Sequence, residues 1–570
     1  MNEVNRVSVF FIFCALLSIV PSVYIINMGG EGLSLPQNNI SVMLVCIIVT
    51  YFCYYFKNNC CLLTYDQTII LLLVAVTILI IPILYTRSEW STNALWYWCG
   101  IFSGFIFYFF VTQIDWSSSR WWIYSLYTIL AMVTLQVIFS LFQLLSLMDW
   151  IPYPKISWRP YGVFQQVNVL SSFVATGTAL ISSMILLPEF KLTSRSIELF
   201  RKYLLMFLLF LFSFITYSLK SRIGFIGCVI SLAFIYIFFS HENKKLANIS
   251  VAVVILGFAV SIFFEKNEII GSRDSSSSTF ARVEILKSTW DMIKQKSLLG
   301  WGAGGFEFSF QHFRLSNGNS TESLGIISHP HNEFLFWWVE NGVFGLVSFI
   351  MICIFGVMLF YNGVKDWKFN AKNNTLMLVL VTIPVILHSQ TEYVFRLSFL
   401  HWYLTIFLLA VSNNVCTSKQ NSQAWRILSP TLTKCIYELS VFCFSLIFVI
   451  MCYSLYGVKV LSNVEKSKFT DVDGFYTMSL VSKLIHSDRY SFDSNMISLL
   501  EFNQTEDERL LDGYVDWAMQ YLKTNIDKSV YFNLVNILQF KGRSYEASLY
   551  DRDAKALFPQ NHDPEENSFN

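Results

Sequence analysis

The chain has 570 residues, of which 54% are hydrophobic, 17% aromatic and only 14% charged, with a net charge of +1 and a mean hydropathy of +0.50. Such a composition lies outside the soluble globular range and predicts an all-α polytopic membrane protein. With 40 basic residues against 39 acidic ones, no basic face for nucleic acid is expected.

The first apolar run, Val7 to Ile26, is too long for a signal-peptide core and is expected to stay as the first span. Further runs of spanning length begin near Ile40, Thr68, Asn93, Trp122, Asn168, Tyr203, Ile223, Ala247, Phe334, Thr375, Arg396 and Ile436, which makes about thirteen transmembrane helices. An odd count places the termini on opposite sides. With the N-terminus inside, the inner loops collect Lys191, Arg195, Arg201, Lys202, Lys244, Lys245, Lys365, Lys368, Lys372, Lys419, Arg426 and Lys434, and the outer loops hold roughly half as many, so the chain is expected N-in and C-out. The expected organisation is 1–264 as transmembrane helices 1–9, 265–333 as a large outer loop with amphipathic helices, 334–456 as transmembrane helices 10–13, and 457–570 as an outer helical tail. The 12 cysteines fall in or beside apolar spans and short loops and are read as free thiols.

In SLKSRIGFIG (218–227) almost no loop separates two apolar spans, so Lys220 and Arg222 are confined at a membrane edge, where ionisable groups are costly and tend to be functional. For Lys220, snorkelling to the interface is the preferred reading. Arg222, beside Gly224 and Gly227, reads as an anion clamp on closely packed helices. The large loop runs from a flexible GSRDSSSST (271–279) into an amphipathic helix, ARVEILKSTWDMIKQ (281–295), opened by Arg282, and then into GWGAGGFEF (300–308). That glycine run lacks the Lys-Ser/Thr of a P-loop, which argues against an ATP site. In SHPHNEFLFWWVENGVFGL (328–346), Pro330 suits a helix start and would put His331 in the first turn, where the positive end of the helix keeps an imidazole neutral and attracts anions. His331 as a general base and the stretch as the polar rim of a membrane helix are the two readings left open. His329, before the proline, is expected to cap the helix or face water. The tail ends in a helix, a turn at Gly542, and a second helix with Ala547 and Ala554, a weak tetratricopeptide-like hairpin.

Several of these residues resemble the O-antigen ligase superfamily of bacterial inner membranes. His331-Asn332, nine residues, then Gly342-x-x-Gly345 is similar to its histidine motif. Ser221-Arg222-x-Gly224 is similar to its first arginine motif, and Arg282 ahead of Trp290 and GWG (300–302) to its second. Two further stretches resemble the PglL-type protein O-oligosaccharyltransferases: Gly162-x-x-x-Gln166-x-Asn168, with Val167 where a proline is usual, and His388-Ser-Gln-Thr-Glu392-Tyr-Val, again without the usual proline. The resemblance covers residues 150–410 by motif.

It implies transfer of a glycan from an undecaprenyl-pyrophosphate carrier to a Ser or Thr hydroxyl of an exported, pilin-like protein on the periplasmic side of the inner membrane. Arg222 and Arg282 would hold the pyrophosphate and His331 would activate the acceptor. Arg159, Gln166, Asn168, Asn332, His388 and Glu392 are candidates for binding sugar or acceptor, although Gln166, Asn168 and Glu392 could equally be satisfied interhelical polar groups. With no His/Asp/Glu cluster at metal-ligand spacing, a metal-independent reaction without cofactor is expected. The alternatives are an O-antigen ligase acting on lipid A-core, a Wzy-type glycan polymerase, and a lipid-linked glycan flippase or transporter. For the last, ionisable residues or broken helices at mid-membrane would be expected.

Overall fold

The computed structural model describes residues 23–25, 27–116, 120–145, 159–267, 276–319, 324–370, 372–416 and 426–559. Most of the first predicted span, Lys419, and most of the serine-rich 271–279 stretch lie outside them. In chain order the helices are α1 Pro36–Asn58, α2 Gln67–Ile78, α3 Ser88–Thr112, α4 Trp121–Leu144, α5 Val167–Leu186, α6 Arg195–Ser218, α7 Arg222–Phe239, α8 Lys244–Lys266, α9 Ser276–Gln295, α10 Phe306–Ser316, α11 Glu333–Asn370 and α12 Asn374–Ser389. They continue as α13 Val394–Leu397, α14 Phe399–Val415, α15 Pro430–Lys466, α16 Leu480–Ile485, α17 Ser487–Thr505, α18 Glu508–Tyr521, α19 Lys528–Phe540 and α20 Ser544–Leu557. One two-stranded antiparallel pair, Thr64–Tyr65 with Arg426–Ile427, is the only sheet among the described residues.

Among the described residues ten helices are long and apolar enough to cross a membrane, and α12 and α14 are shorter apolar helices of 16 and 17 residues. The chain is thus an all-α, multi-pass membrane protein. All twelve apolar runs expected after the first one are helical, but two of them fall short of full spanning length. The breaks have local causes, since α12 ends at Ser389 in the polar turn that carries Glu392, and α14 starts only at the Ser398 cap. The described cysteines are all free thiols.

The chain forms two compact units, one of Met1–Leu72, Ser103–Asp274 and Cys353–Val458, the other of Leu73–Phe102, Ser275–Ile352 and Lys459–Asn570. In the first, α5 is the centre: its apolar window is 100% buried, and α4, α6, α7 and α12 all pack on it. Its sequence explains why. VNVLSSFVATGTALISSMIL is rich in small residues that let backbones approach, and the hydroxyls of Thr176, Thr178 and Ser183 are satisfied within the helix, bonding back to carbonyls four residues earlier at 2.9 Å. A Cβ on Gly177 would come within 2.6 Å of Val133 and 2.7 Å of Phe212.

In the second unit, α17–α20 form helical hairpins over one apolar core that includes Tyr514, Val530, Leu534, Leu538, Ala547 and Ala554. The expected turn is present, with Gly542 at φ +71° between α19 and α20. Asp493 of α17 is 0% exposed, and neither carboxyl oxygen has a hydrogen-bond partner among the described residues. Burial pushes its pKa up to about 8; the Glu465 charge adds to the shift and Arg489 opposes it. An unfolded aspartate releases its proton near pH ~3.9. Between there and about 8 the folded chain holds a proton that the unfolded chain gives up, so local stability falls as pH rises, with the full penalty present above the folded value. Asp493→Asn removes that penalty. Amide exchange across 487–505 should be slower in the variant than in the parent at pH 8 and equal at pH 4; equal rates at both would show that Asp493 carries no strain.

Candidate functional site

The first unit holds a polar cluster at one end of its bundle. Gln166 caps α5, its side-chain oxygen accepting the Asn168 N–H at 2.8 Å. Glu392 then accepts from three side chains: Asn168 Nδ2 at 2.5 Å, His388 Nε2 at 3.1 Å and Gln166 Nε2 at 3.5 Å. Asn168 Oδ1 in turn accepts from Ser221 Oγ at 2.8 Å, and Ser221 is the N-cap of α7. Gln166, Asn168, His388 and Glu392, nominated separately from sequence, are therefore brought together and spend these groups on one another.

Arg222 follows as the first residue of α7 and is exposed. The turn before it is braced on several sides. Arg159 donates to the Leu219 carbonyl at 2.9 Å and to the Lys220 carbonyl at 3.5 Å, a cation placed on the negative end of α6. Lys220, at φ +51°, makes a partly buried ion pair with Glu265 and lies 4.1 Å from the Tyr217 ring centre. Gly224 is obligatory for this packing, because an added Cβ would sit 1.8 Å from Ser171 Oγ. Buried Gln136 and Gln143 of α4, which drew no notice in the sequence, accept the backbone N–H groups of Tyr161, Gly162 and Val163 at 3.0 Å and so fix the segment leading into α5.

The second unit carries the histidine stretch. Helix α11 begins at Glu333, and His331 lies before it at φ +55°. Asn332 caps the helix, its Oδ1 accepting the Leu335 N–H at 2.9 Å. The expected place of His331 in the first turn is thus corrected. A side-chain acceptor on an orphan amide is a stronger start signal than a proline that merely avoids losing one. His329, expected to cap the helix or face water, is instead 1% exposed, with Nδ1 accepting the His331 N–H at 2.9 Å. Left-handed backbone at a non-glycine residue costs about 1–3 kcal/mol and collects at functional sites. Next to it, buried Glu333 accepts from Tyr97 Oη at 3.2 Å and Trp337 Nε1 at 3.1 Å.

The glycines serve this same region. Helix α11 is interrupted at Gly342 (φ 58°, ψ −142°), and the glycine-rich loop docks there: Trp301 N–H on the Val339 carbonyl at 2.8 Å, Gly302 N–H on that of Glu340 at 3.2 Å, and Val343 N–H on that of Leu298 at 2.9 Å. Glu340 Oε1 also accepts the Phe306 N–H at 3.1 Å, at the start of α10. A Cβ on Gly342 would lie 2.1 Å from the Leu298 carbonyl oxygen, whereas Gly356 in the same helix has nothing within 4 Å. Gly342→Ala should therefore lower the thermal midpoint of the detergent-purified protein by several degrees, and Gly356→Ala should leave it nearly unchanged. Equal midpoints would mean the loop is not held by that kink.

Arg282 is the seventh residue of α9, not its opening residue, because the helix begins at Ser276, and it is half-buried. The sequence reading passed over Arg314 of α10, which is 3% exposed, 3.4 Å from both Glu284 Oε1 and Ser288 Oγ of α9, and joins the two loop helices. Burial pushes its pKa below the usual arginine value while Glu284 opposes that shift. No group of three or more His, Cys, Asp or Glu among the described residues could hold a metal ion.

Two family models match the chain. O-Antigen ligase covers residues 205–350, which include Arg222, Arg282 and His331; Virulence factor membrane-bound polymerase, C-terminal, covers 376–568, which include His388 and Glu392. An uncharacterized protein of Haemophilus influenzae is 21% identical over 167 residues, 27% of this chain and 42% of that protein, so well under two thirds of that relative is spanned. With both models in sequence order along an all-α membrane chain that carries the arginine and histidine stretches, the matched segments are similar to the O-antigen ligase superfamily.

Proposed function

We propose that this protein transfers a glycan from an undecaprenyl-pyrophosphate carrier to a Ser or Thr hydroxyl of an exported, pilin-like protein, in the manner of the PglL-type O-oligosaccharyltransferases. The observation that carries the donor half is Arg222. Its guanidinium is exposed at the first position of an 18-residue helix, where the positive helix end and the cation both favour an anion. Arg222 and Arg282 neutralise the pyrophosphate, which makes it a good leaving group without metal or cofactor. His331 takes the proton of the acceptor hydroxyl as it attacks the anomeric carbon, the C–O bond to phosphate breaks, and the lipid pyrophosphate departs. The backbone at His331, held left-handed by His329, supports a directed role for that ring. Asn332 acts as the helix cap behind it.

The Lys/Arg bias supports an inner-membrane chain with its N-terminus cytoplasmic and both the large loop and the tail periplasmic. Alkaline phosphatase fused after Tyr456 should be active and fused after Lys368 inactive; the reverse pattern removes the lipid-pyrophosphate mechanism along with the orientation. The acceptor half rests on the resemblance of 162–168 and 388–394 and on the helical tail. Mass spectrometry of exported proteins from cells with and without the gene tests it: glycopeptides that vanish with the gene support protein transfer. A glycan polymerase is the second reading, favoured by the description of the family matched over 376–568. It predicts unchanged exported proteins and a shortened lipid-linked glycan.

A further inference from the structure

Behind Glu392 and His388 the polar cluster continues inward through Ser172, His401 and Ser398, to which no role has been given. His388 Nδ1 lies 2.9 Å from Ser172 Oγ; Ser172 Oγ lies 3.4 Å from His401 Nε2; His401 Nδ1 lies 2.8 Å from Ser398 Oγ. Ser172, His388 and His401 are at most 1% exposed, in the apolar core of a membrane bundle where uncompensated polar groups are expensive. The links through Ser172 join α14 to α5 and α5 to α12, and the line ends, through Glu392 and Asn168, on the cap of α7. With Glu392 as a carboxylate, which only accepts, one donor direction satisfies the whole line. Ser398 gives its hydrogen to His401 Nδ1, His401 Nε2–H goes to Ser172, Ser172 O–H to His388 Nδ1, and His388 Nε2–H to Glu392. The Val169 carbonyl also accepts the Ser172 hydroxyl at 3.0 Å and competes with His388 Nδ1 for that hydrogen.

The direction matters at the other end. Because Glu392 takes the Asn168 amide hydrogens, the Asn168 oxygen must face Ser221, so Ser221 donates to it and keeps its own oxygen free to cap Gly224 N–H. Losing the acceptor at Glu392 would let the Asn168 amide turn over and deprive the Ser221 hydroxyl of its partner. We propose that Ser172 and His401, acting through His388, Glu392 and Asn168, are positioning residues that lock the Ser221–Arg222 turn. The kinetic consequence of this locking rests on the reading of Arg222 as the pyrophosphate ligand; the locking itself does not.

His401→Phe is the informative variant, since it keeps the ring contacts with Phe164 and Phe173 at 5.2 and 5.3 Å and removes both ring nitrogens. Two quantities are measured on the full-length protein in lipid nanodiscs: amide exchange across 219–224, and KM and kcat for a lipid-pyrophosphate-linked glycan. Exchange in the turn should rise about tenfold while the rest of α7 is unchanged, and KM for the donor should rise more than kcat falls. His401→Gln, whose amide can still donate to Ser172, should restore most of both, and Ser172→Ala should reproduce the loss if His401→Phe does not fold. Unchanged exchange at 219–224 in folded His401→Phe or Ser172→Ala overturns the proposal, whatever the activity. Faster exchange with unchanged kinetics upholds the positioning chain and instead removes Arg222 from donor binding.

Discussion

Arg222→Ala should abolish transfer or reduce it by a hundredfold or more at native expression level. On the proposed reading the exposed Arg222 guanidinium meets the donor pyrophosphate at the start of α7, in a site of lowered dielectric. Removing one partner of a desolvated charge pair costs roughly 3–5 kcal/mol, and each ~1.4 kcal/mol on the barrier is tenfold in rate. Arg222→Lys should recover little, because an ammonium cannot supply the planar, bidentate fork. Protein abundance should stay near the parent level in both variants, since Arg159, Lys220 and Ser221 brace the turn. Near-normal transfer by Arg222→Ala would move the donor site elsewhere.

His331→Ala should lose about a hundredfold to ten-thousandfold in transfer while the protein still inserts and still binds donor lipid, the usual cost of deleting a general base. His329→Ala should lose much less. The bond from the His331 N–H to His329 Nδ1 is a single part-buried hydrogen bond, worth about 0.5–1.5 kcal/mol net, or several-fold in rate if the His331 ring drifts. His329→Asn should restore it, because an asparagine oxygen readily accepts the N–H two residues on in an Asx turn. Transfer, membrane abundance and donor-lipid binding are measured for all three. If His329→Ala is inactive and His331→Ala is active, the base has been assigned to the wrong ring; if both are active, the stretch is the polar rim of a helix.

The helices were legible because apolar length is a one-dimensional signal, and it placed the start of every described span from Pro36 onward within eight residues. Local starts were less so. Pro330 pointed to a helix beginning there, but Asn332 supplied the cap and left His331 outside in a left-handed turn. The spacing from His331-Asn332 to Gly342 and Gly345 was visible, yet its reason was not, because the kink at Gly342 exists to receive a loop some forty residues earlier in sequence. The same holds for the polar cluster. His388 and Glu392 are four residues apart, but Asn168 reaches Glu392 across 224 residues and Ser172 meets His401 across 229, separations that no periodicity reports. The one available hint was that His401 follows Ser398 by three residues at the head of an apolar run, the signature of a capped helix carrying a polar side chain inward.

The central claim is that a lipid pyrophosphate leaves as a protein hydroxyl is glycosylated, and it is tested most directly with purified protein in nanodiscs. An undecaprenyl-pyrophosphate-linked oligosaccharide and a purified pilin-like acceptor are supplied with a chelator present. The predicted result is glycan attached to a Ser or Thr of the acceptor with matching release of undecaprenyl pyrophosphate, absent in Arg222→Ala and His331→Ala. Glycan that lengthens only on the lipid carrier, with the acceptor protein unmodified, would contradict it.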